Sequence, residues 1–366
     1  MLQKAPVSVL VAPLDWGLGH ATRCIPIIRE LINHGAHVMI AAGNAQKTLL
    51  EVEFPGLEFM DIPGYEISYR SGILLKWGLL WKIPAILKQI KRENRWLDGI
   101  LADRRVDAVI SDNRYGLYNK KIFSVFITHQ LGIVSGWGRI FDWILLKWNY
   151  SFIRNFSACW VPDLEGDLSL AGKLSHPPLL PPLPVIYLGV LSRMQPSEME
   201  IEKNSLLILL SGPEPERTRF EKILFRELIS YTGKTVLVRG LPGSQFTIPF
   251  IRESISIFNH LPSRELNELM NCSEFILTRS GYSTIMDLVQ IKRNAIVVAT
   301  PGQTEQEYLG NHLYEMKWMY HAGQHNFKLE KVLREFKQEK LKLPDISGTS
   351  IQGVIEEFLR KIIECR

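Results

Sequence analysis

His20 closes the string Asp15-Trp16-Gly17-Leu18-Gly19-His20, which follows the apolar run Val7 to Ala12 and leads into a helical pattern. An imidazole with an ordinary pKa of about 6.5 can take a proton from a hydroxyl as that oxygen attacks, so His20 is a candidate general base. Asp112 ends a second apolar run, Val109-Ile110-Ser111. It can orient the imidazole and stabilise its protonated form, or cap the turn Asn113-Arg114-Tyr115-Gly116 that follows; both roles stay open. Gly17 and Gly19 let a backbone approach a ligand, and the amides of a helix start favour an anion or developing charge. The dinucleotide fingerprint would need a third glycine where Thr22 stands and a carboxylate where Ala41-Ala42-Gly43-Asn44 stands, so an NAD site is disfavoured. A tight turn with an incidental histidine accounts for the motif equally well.

A second group lies in Thr278-Arg279-Ser280-Gly281-Tyr282-Ser283-Thr284, again between an apolar run and a helix. Ser280, Gly281, Ser283 and Thr284 can offer amides and hydroxyls to phosphate oxygens. Asp287, one helical turn after Ser283, can bind a ribose diol or simply favour the positive end of the helix dipole. The polar loop Pro301-Gly302-Gln303-Thr304-Glu305-Gln306 after Ala295 to Ala299 offers neutral side chains with paired donors and acceptors that suit sugar hydroxyls, although loop polarity alone predicts such residues.

The elements that must hold these residues repeat one plan. Val7 to Ala12, a glycine-containing loop, a helical pattern with Ile27, Ile28, Leu31 and Ile32, Gly35, and a strand His37 to Ala41 make a strand, loop, helix, strand unit. Leu206 to Leu210, the Gly/Pro loop Ser211 to Glu216, a helix Arg219 to Tyr231, Gly233 and a strand Thr235 to Arg239 repeat it. Two such starts in 366 residues predict two α/β domains with mostly parallel sheets. The expected division is 1–188, a linker 189–204 reached through the proline-rich string His176 to Pro184, a second domain 205–349, and a closing helix 350–366.

Composition narrows the class. Hydrophobic residues at 46% and charged residues at 22% are ordinary for a soluble globular chain. A net charge of +5 is too mild for a nucleic-acid binder yet suits anionic ligands or lipid surfaces. Cys24, Cys159, Cys272 and Cys365 form no CxxC pair, so neither a disulfide framework nor a cysteine zinc site is expected. The chain reads as cytoplasmic, with no cleavable leader and no apolar stretch of the roughly 18 residues needed to span a bilayer.

Gly-x-Gly-His after the first strand, Ser-Gly-x-Ser-Thr before a late helix, and Pro-x-x-x-Glu-Gln-x-x-x-x-Asn after the next strand together resemble the GT-B glycosyltransferases. The match is nearest to the MurG-like transferases of family 28 and more distant to the UDP-glycosyltransferases; it spans both domains, strongest over Ile257 to Asn311. The resemblance implies two Rossmann-like domains facing across a cleft, the first for an acceptor and the second for a nucleotide sugar, most simply a UDP-sugar. It assigns Ser280, Gly281 and Ser283 to the diphosphate loop, Asp287 to the ribose, Glu305 and Gln306 to the donor sugar, and Leu261 to the segment whose backbone reads the base. Ser211 and Gly212 fall where a further phosphate loop is expected, although Pro213, Glu214 and Pro215 make it unusual and the acids Glu214 and Glu216 oppose a direct phosphate contact. His20 and Asp112 resemble the His/Asp dyad.

The implied reaction is a single displacement with inversion that moves a hexose or N-acetylhexosamine to an acceptor hydroxyl, with preorganised amides rather than a metal stabilising the departing diphosphate. No cofactor is expected; Asp163-Leu164-Glu165 is the nearest acidic string, and it reads as a loop or cap. The acceptor is expected to be a glycan, lipid-linked or of the cell envelope, or a small molecule. A peripheral contact with the inner membrane surface is read from Arg70 to Arg95, seven basic residues and one acid interleaved with Ile73, Leu74, Leu75, Trp77, Leu79, Leu80 and Trp81, and from Trp137, Trp143 and Trp148. Pro84 interrupts the first stretch. A UDP-sugar 2-epimerase of the same fold and a non-catalytic nucleotide-sugar-binding protein remain as alternatives.

Overall fold

The computed structural model of the chain describes residues 5–64, 74–136, 138–242, 244–246, 248, 252–346 and 350–366, with the side chains of 44 and 74–83 left out. The described residues of 1–191 and 347–366 form one compact unit, and those of 192–346 a second.

In the first unit, β1 (Ser8–Pro13), α1 (Gly19–Asn33), β2 (His37–Ala41), α2 (Asn44–Glu53) and β3 (Glu58–Met60) are followed by α3 (Leu74–Asp103), β4 (Ala108–Asp112), β5 (Phe123–Ile127), α4 (Arg139–Ile153), β6 (Ala158–Val161) and β7 (Val185–Tyr187). The seven strands are parallel in the order β3-β2-β1-β4-β5-β6-β7. All six residues of β1 are buried, as a strand covered by helices on both faces requires. Leu10, Ala12, Met39 and Val109 pack with Leu97 of α3 in one core cluster. Pro84, expected as an interruption, lies inside α3, which continues through it.

In the second unit, β8 (Glu202–Leu209), α5 (Glu216–Leu228), β9 (Lys234–Val238), β10 (Ile255–Phe258), α6 (Ser263–Cys272), β11 (Ser273–Arg279), α7 (Tyr282–Gln290), β12 (Ile296–Val298), α8 (Thr304–Glu315), β13 (Tyr320–Ala322) and α9 (Leu329–Gln338) build a parallel six-stranded sheet ordered β10-β9-β8-β11-β12-β13. Its core is Leu206, Ile208, Phe220, Leu224, Leu277 and Val298 with their neighbours. The last helix, α10 (Gln352–Glu364), returns to the first unit, where Phe358 meets Trp160 at 5.2 Å and Phe123 at 5.7 Å between ring centroids.

Each strand order reverses direction once, between β1 and β4 in the first sheet and between β8 and β11 in the second. Loops at the carboxyl ends of strands part at such a switch point and leave room for a ligand. His20 follows β1 and Asp112 ends β4; Ser211 and Gly212 follow β8, and Ser280 follows β11.

Candidate active site

In the first unit, Pro13 pairs with Asp112 in the β1–β4 register, so the turn into α1 lies directly above the end of β4. Gly17 takes φ +75°, the left-handed region that favours glycine, and its carbonyl accepts from Gln46 Nε2 at 2.9 Å. Gly19 opens α1, where its carbonyl accepts from Thr22 Oγ1 at 3.0 Å. His20 is the second helical residue, its side chain 16% exposed, and its Nδ1 stands 3.0 Å from Asp112 Oδ1. Asp112 is fully buried and meets His20, Arg23 and Cys24, while the turn behind it is tied by Ser111 Oγ donating to the Arg114 carbonyl at 2.6 Å. Among the described residues the Asp112 side chain bonds to His20, Arg23 and Cys24 and makes no bond to the turn that follows it.

Arg23, absent from the motifs and one turn further along α1, completes the cluster. Its Nε donates to Asp112 Oδ2 at 2.6 Å, its Nη2 to Oδ1, and its Nη1 stands 3.1 Å from His129 Nδ1. Burial raises the proton affinity of Asp112, but the charges and hydrogen bonds of Arg23 and His20 outweigh it and hold the carboxyl well below the usual carboxylate range. For His20, burial is the largest influence and lowers the pKa, Asp112 opposes it, and Arg23 adds to the lowering. The imidazole is therefore neutral at neutral pH. Burial pushes the Cys24 thiol well up, which leaves it an unreactive packing group.

A second buried pair braces this turn from below. Arg114 donates to Glu93 Oε1 at 2.7 Å and to the Pro13 carbonyl at 2.8 Å, with both side chains fully buried. The single acid of the 70–95 stretch is thus a structural partner.

In the second unit, Gly281 is the N-cap of α7 with no side-chain cap, and an added Cβ there would meet nothing within 4 Å. Ser280 is fully buried, and its hydroxyl donates to the Gln306 carbonyl at 2.8 Å; Gln306 Oε1 in turn accepts from the Thr300 amide at 2.9 Å. Glu305 and Gln306, expected in a loop, lie in the first turn of α8; Ser280 ties its own turn to that helix and the Gln306 side chain ties the helix to Thr300, so the hydroxyl proton expected to meet phosphate is spent inside the unit. Glu305, Ser283 and Thr284 are half-buried. Gly212 takes φ +102°, and a Cβ there would lie 3.5 Å from Thr300 Oγ1. The acids beside it are engaged: Glu214 accepts from Arg217 Nε at 2.6 Å, and Glu216 pairs with Arg219. Leu261 is buried one residue before Pro262, the N-cap of α6.

Asp287 is buried, and its Oδ1 accepts from Ser192 Oγ at 2.5 Å. Burial pushes its pKa up to about 6 against the lowering effects of Arg193 and Ser192. Arg279 is fully buried with Phe220 under its guanidinium at 4.3 Å, and burial brings its pKa down to about 10. Among the described residues Arg279 Nε and the hydroxyls of Thr278 and Thr300 have no hydrogen-bond partner. Asp163 accepts from the amides of Leu164, Leu170 and Ala171 and from Ser169 Oγ, all at 2.7 to 3.1 Å, so it organises a loop.

Residues 246–361 match the C-terminal domain of glycosyltransferase family 28. A protein of Methanosarcina acetivorans described as an uncharacterized glycosyltransferase is 22% identical over 318 residues, 82% of this chain and 82% of its own. Among solved structures, the calicheamicin glycosyltransferase CalG4 is similar with a TM-score of 0.60 at 12% identity, covering 98% of this chain and 94% of its own. MurG of Acinetobacter baumannii is similar with a TM-score of 0.53 at 13% identity, covering 98% and 100%. The fold is GT-B. In this GT-B chain the family 28 match carries the Ser280 turn, Asp287, Glu305 and Gln306, whereas His20, Asp112, Ser211 and Gly212 lie outside it. Those four rest on the geometry of each unit. Arg23 left one signal in the sequence, a cation three residues after His20 on the same helix face.

Proposed function

We propose that the chain is an inverting glycosyltransferase that moves a hexose or N-acetylhexosamine from a UDP-sugar to an acceptor hydroxyl on a lipid-linked or cell-envelope glycan. The observation that carries this reading is the His20–Asp112 contact of 3.0 Å at the switch point of the first sheet. With Nδ1–H donated to the carboxylate, Nε2 keeps its lone pair and makes no hydrogen bond among the described residues. His20 Nε2 takes the acceptor hydroxyl proton, the oxygen attacks the anomeric carbon, and the bond from that carbon to the diphosphate oxygen breaks, releasing UDP. Charge developing on the diphosphate is met by the amides of the Gly281 turn at the start of α7, with no metal required. The Ser211–Gly212 loop adds backbone to the same phosphates, Asp287 takes the ribose, the Leu261 backbone reads the base, and Glu305 with Gln306 hold the donor sugar.

A lipid-linked acceptor at the inner membrane surface is supported by α4. Ile140, Trp143 and Ile144 are 80%, 57% and 51% exposed on one helical face, and Lys147 lies 5.7 Å over the Trp143 ring. On α3, Lys88, Lys91, Arg92 and Arg95 are exposed. Trp148 is instead half-buried against Phe152. Arg70 and Ile73, Trp137, and the side chains of Leu74, Leu75, Trp77, Leu79, Leu80 and Trp81 lie outside the described residues. Among the described residues no helix is long and apolar enough to cross a membrane.

The test incubates purified protein with candidate UDP-sugars and follows UDP release with and without acceptor extracts. Release that needs acceptor supports transfer; an epimerised sugar formed without acceptor overturns it in favour of a 2-epimerase. His20→Ala should lower turnover by roughly 10²- to 10⁴-fold with UDP affinity unchanged. Unaltered turnover removes His20 from the mechanism.

A further inference from the structure

Two nitrogens, His20 Nδ1 and Arg23 Nη2, meet one oxygen of Asp112 at the first switch point. His20 Nδ1 stands 3.0 Å from Asp112 Oδ1 and 2.8 Å from Arg23 Nη2. A guanidinium can only donate, and a neutral ring nitrogen either donates or accepts, so Nδ1 cannot satisfy both neighbours as a donor. Protonating His20 would then set an imidazolium against the guanidinium with one shared carboxylate between two cations.

We propose that Arg23 is a positioning residue: by gripping both oxygens of Asp112 and standing 2.8 Å from Nδ1, its charge disfavours the imidazolium and keeps His20 neutral, able to accept a proton. The inference rests on the reading of His20 as the base. A lone buried carboxylate beside a histidine would favour the imidazolium, which cannot accept a proton; here the arginine consumes most of that carboxylate's charge while leaving its direction intact. Two further groups pack against the Arg23–Asp112 pair. His129 Nδ1, following β5, lies 3.1 Å from Arg23 Nη1 and steadies the far side of the guanidinium, and Cys24 on α1 points its thiol at Asp112 Oδ2, 3.7 Å away. Arg23 itself is 2% exposed, so its position is set by packing rather than by solvent.

The experiment is a ring-resonance NMR titration of His20 in the full chain, with the signal assigned by its absence in His20→Ala. In Arg23→Gln, which keeps a donor to the carboxylate but no charge, the His20 midpoint should rise by about one pH unit, because an uncompensated carboxylate now stands beside the ring. A midpoint equal to wild type overturns the proposal. Should the buried carboxylate left behind prevent Arg23→Gln from folding, the same substitution is made in Asp112→Asn, where no carboxylate is left unpaired. Asp112→Asn alone should titrate below wild type and the double variant above Asp112→Asn by about one pH unit; equal midpoints in the two again overturn the proposal. The titration needs no substrate. A normal Arg23 effect together with an active His20→Ala would remove the base assignment and leave the coupling standing, so the two failures are distinguishable.

Discussion

The turn from β1 into α1 and the turn from β11 into α7 share one plan, a buried strand, a glycine and an uncapped helix start at a switch point, each over a buried arginine, yet the partners of that arginine differ. The first is built on buried charge: Asp112, Arg23, His20 and, beneath them, Arg114 with Glu93. The second holds one buried cation, Arg279, on the carbonyls of Val298, Ala299 and Glu216, beside neutral hydrogen bonds from Ser280 to the Gln306 carbonyl and from the Thr300 amide to Gln306 Oε1, with the acid Asp287 further along α7. A charged turn can set the proton state of an imidazole. A turn whose buried cation is held by carbonyls keeps a positive charge beneath its helix-start amides, which suits an anionic ligand. Local secondary structure therefore does not distinguish proton chemistry from anion binding; the side chains beneath the turn do.

That contrast can be broken most forcefully at Asp112. Asp112→Asn leaves Arg23 buried without its counter-charge and should cost about 3–5 kcal/mol in urea unfolding, with Arg23→Gln added to it costing less than the sum of the two. A loss below about 1 kcal/mol would mean the ion pair does not hold the first turn. Asp287 should respond with the opposite sign. Its unfolded carboxyl releases a proton near about pH 4 and its folded one near about 6, so the folded state binds more protons between these values and stability falls as pH rises through them. Asp287→Asn, which can still accept from Ser192, should be more stable than wild type by about 2 kcal/mol at pH 7.5, with the gap closing by pH 4. A variant less stable at pH 7.5 contradicts this. The smallest expected effects separate the two glycines. Gly17→Ala, at φ +75°, should lower stability by about 1 kcal/mol, whereas Gly281→Ala, at φ −79° with open space at its Cβ, should stay within about 0.5 kcal/mol. UDP affinity of Gly281→Ala measured by calorimetry then reports ligand contact alone, and an unchanged value would move the diphosphate away from this turn.

The strands that carry the two turns were legible because each is an unbroken apolar run ended by a glycine-bearing loop, the pattern of a parallel strand buried on both faces. β3, β6, β7 and β13, three or four residues each, are too short to show a period, whereas the equally short β12 is legible because apolar Ala295 and Ala299 extend its run. Pro84 was taken as a break because a proline removes one helical donor, a loss the thirty-residue α3 absorbs. His20 and Asp112 stood out by type and position. Arg23 did not, since a cation three residues after a histidine on a helix is ordinarily a solvated charge, and only the carboxylate 89 residues away makes it a buried one.

Apolar periodicity and glycine placement, both local properties, settled by themselves that this chain would form two α/β sheets and that His20, Asp112, Ser280 and Gly281 would lie at strand ends. The partners of those residues were decided by tertiary structure alone. Which oxygen a guanidinium reaches, and whether the Ser280 hydroxyl spends its proton on a carbonyl 26 residues further on, depend on distances of about 3 Å between segments remote in sequence. Burial then fixes the strength of each contact, because a charge or a hydroxyl removed from water must take whatever neighbour the fold provides.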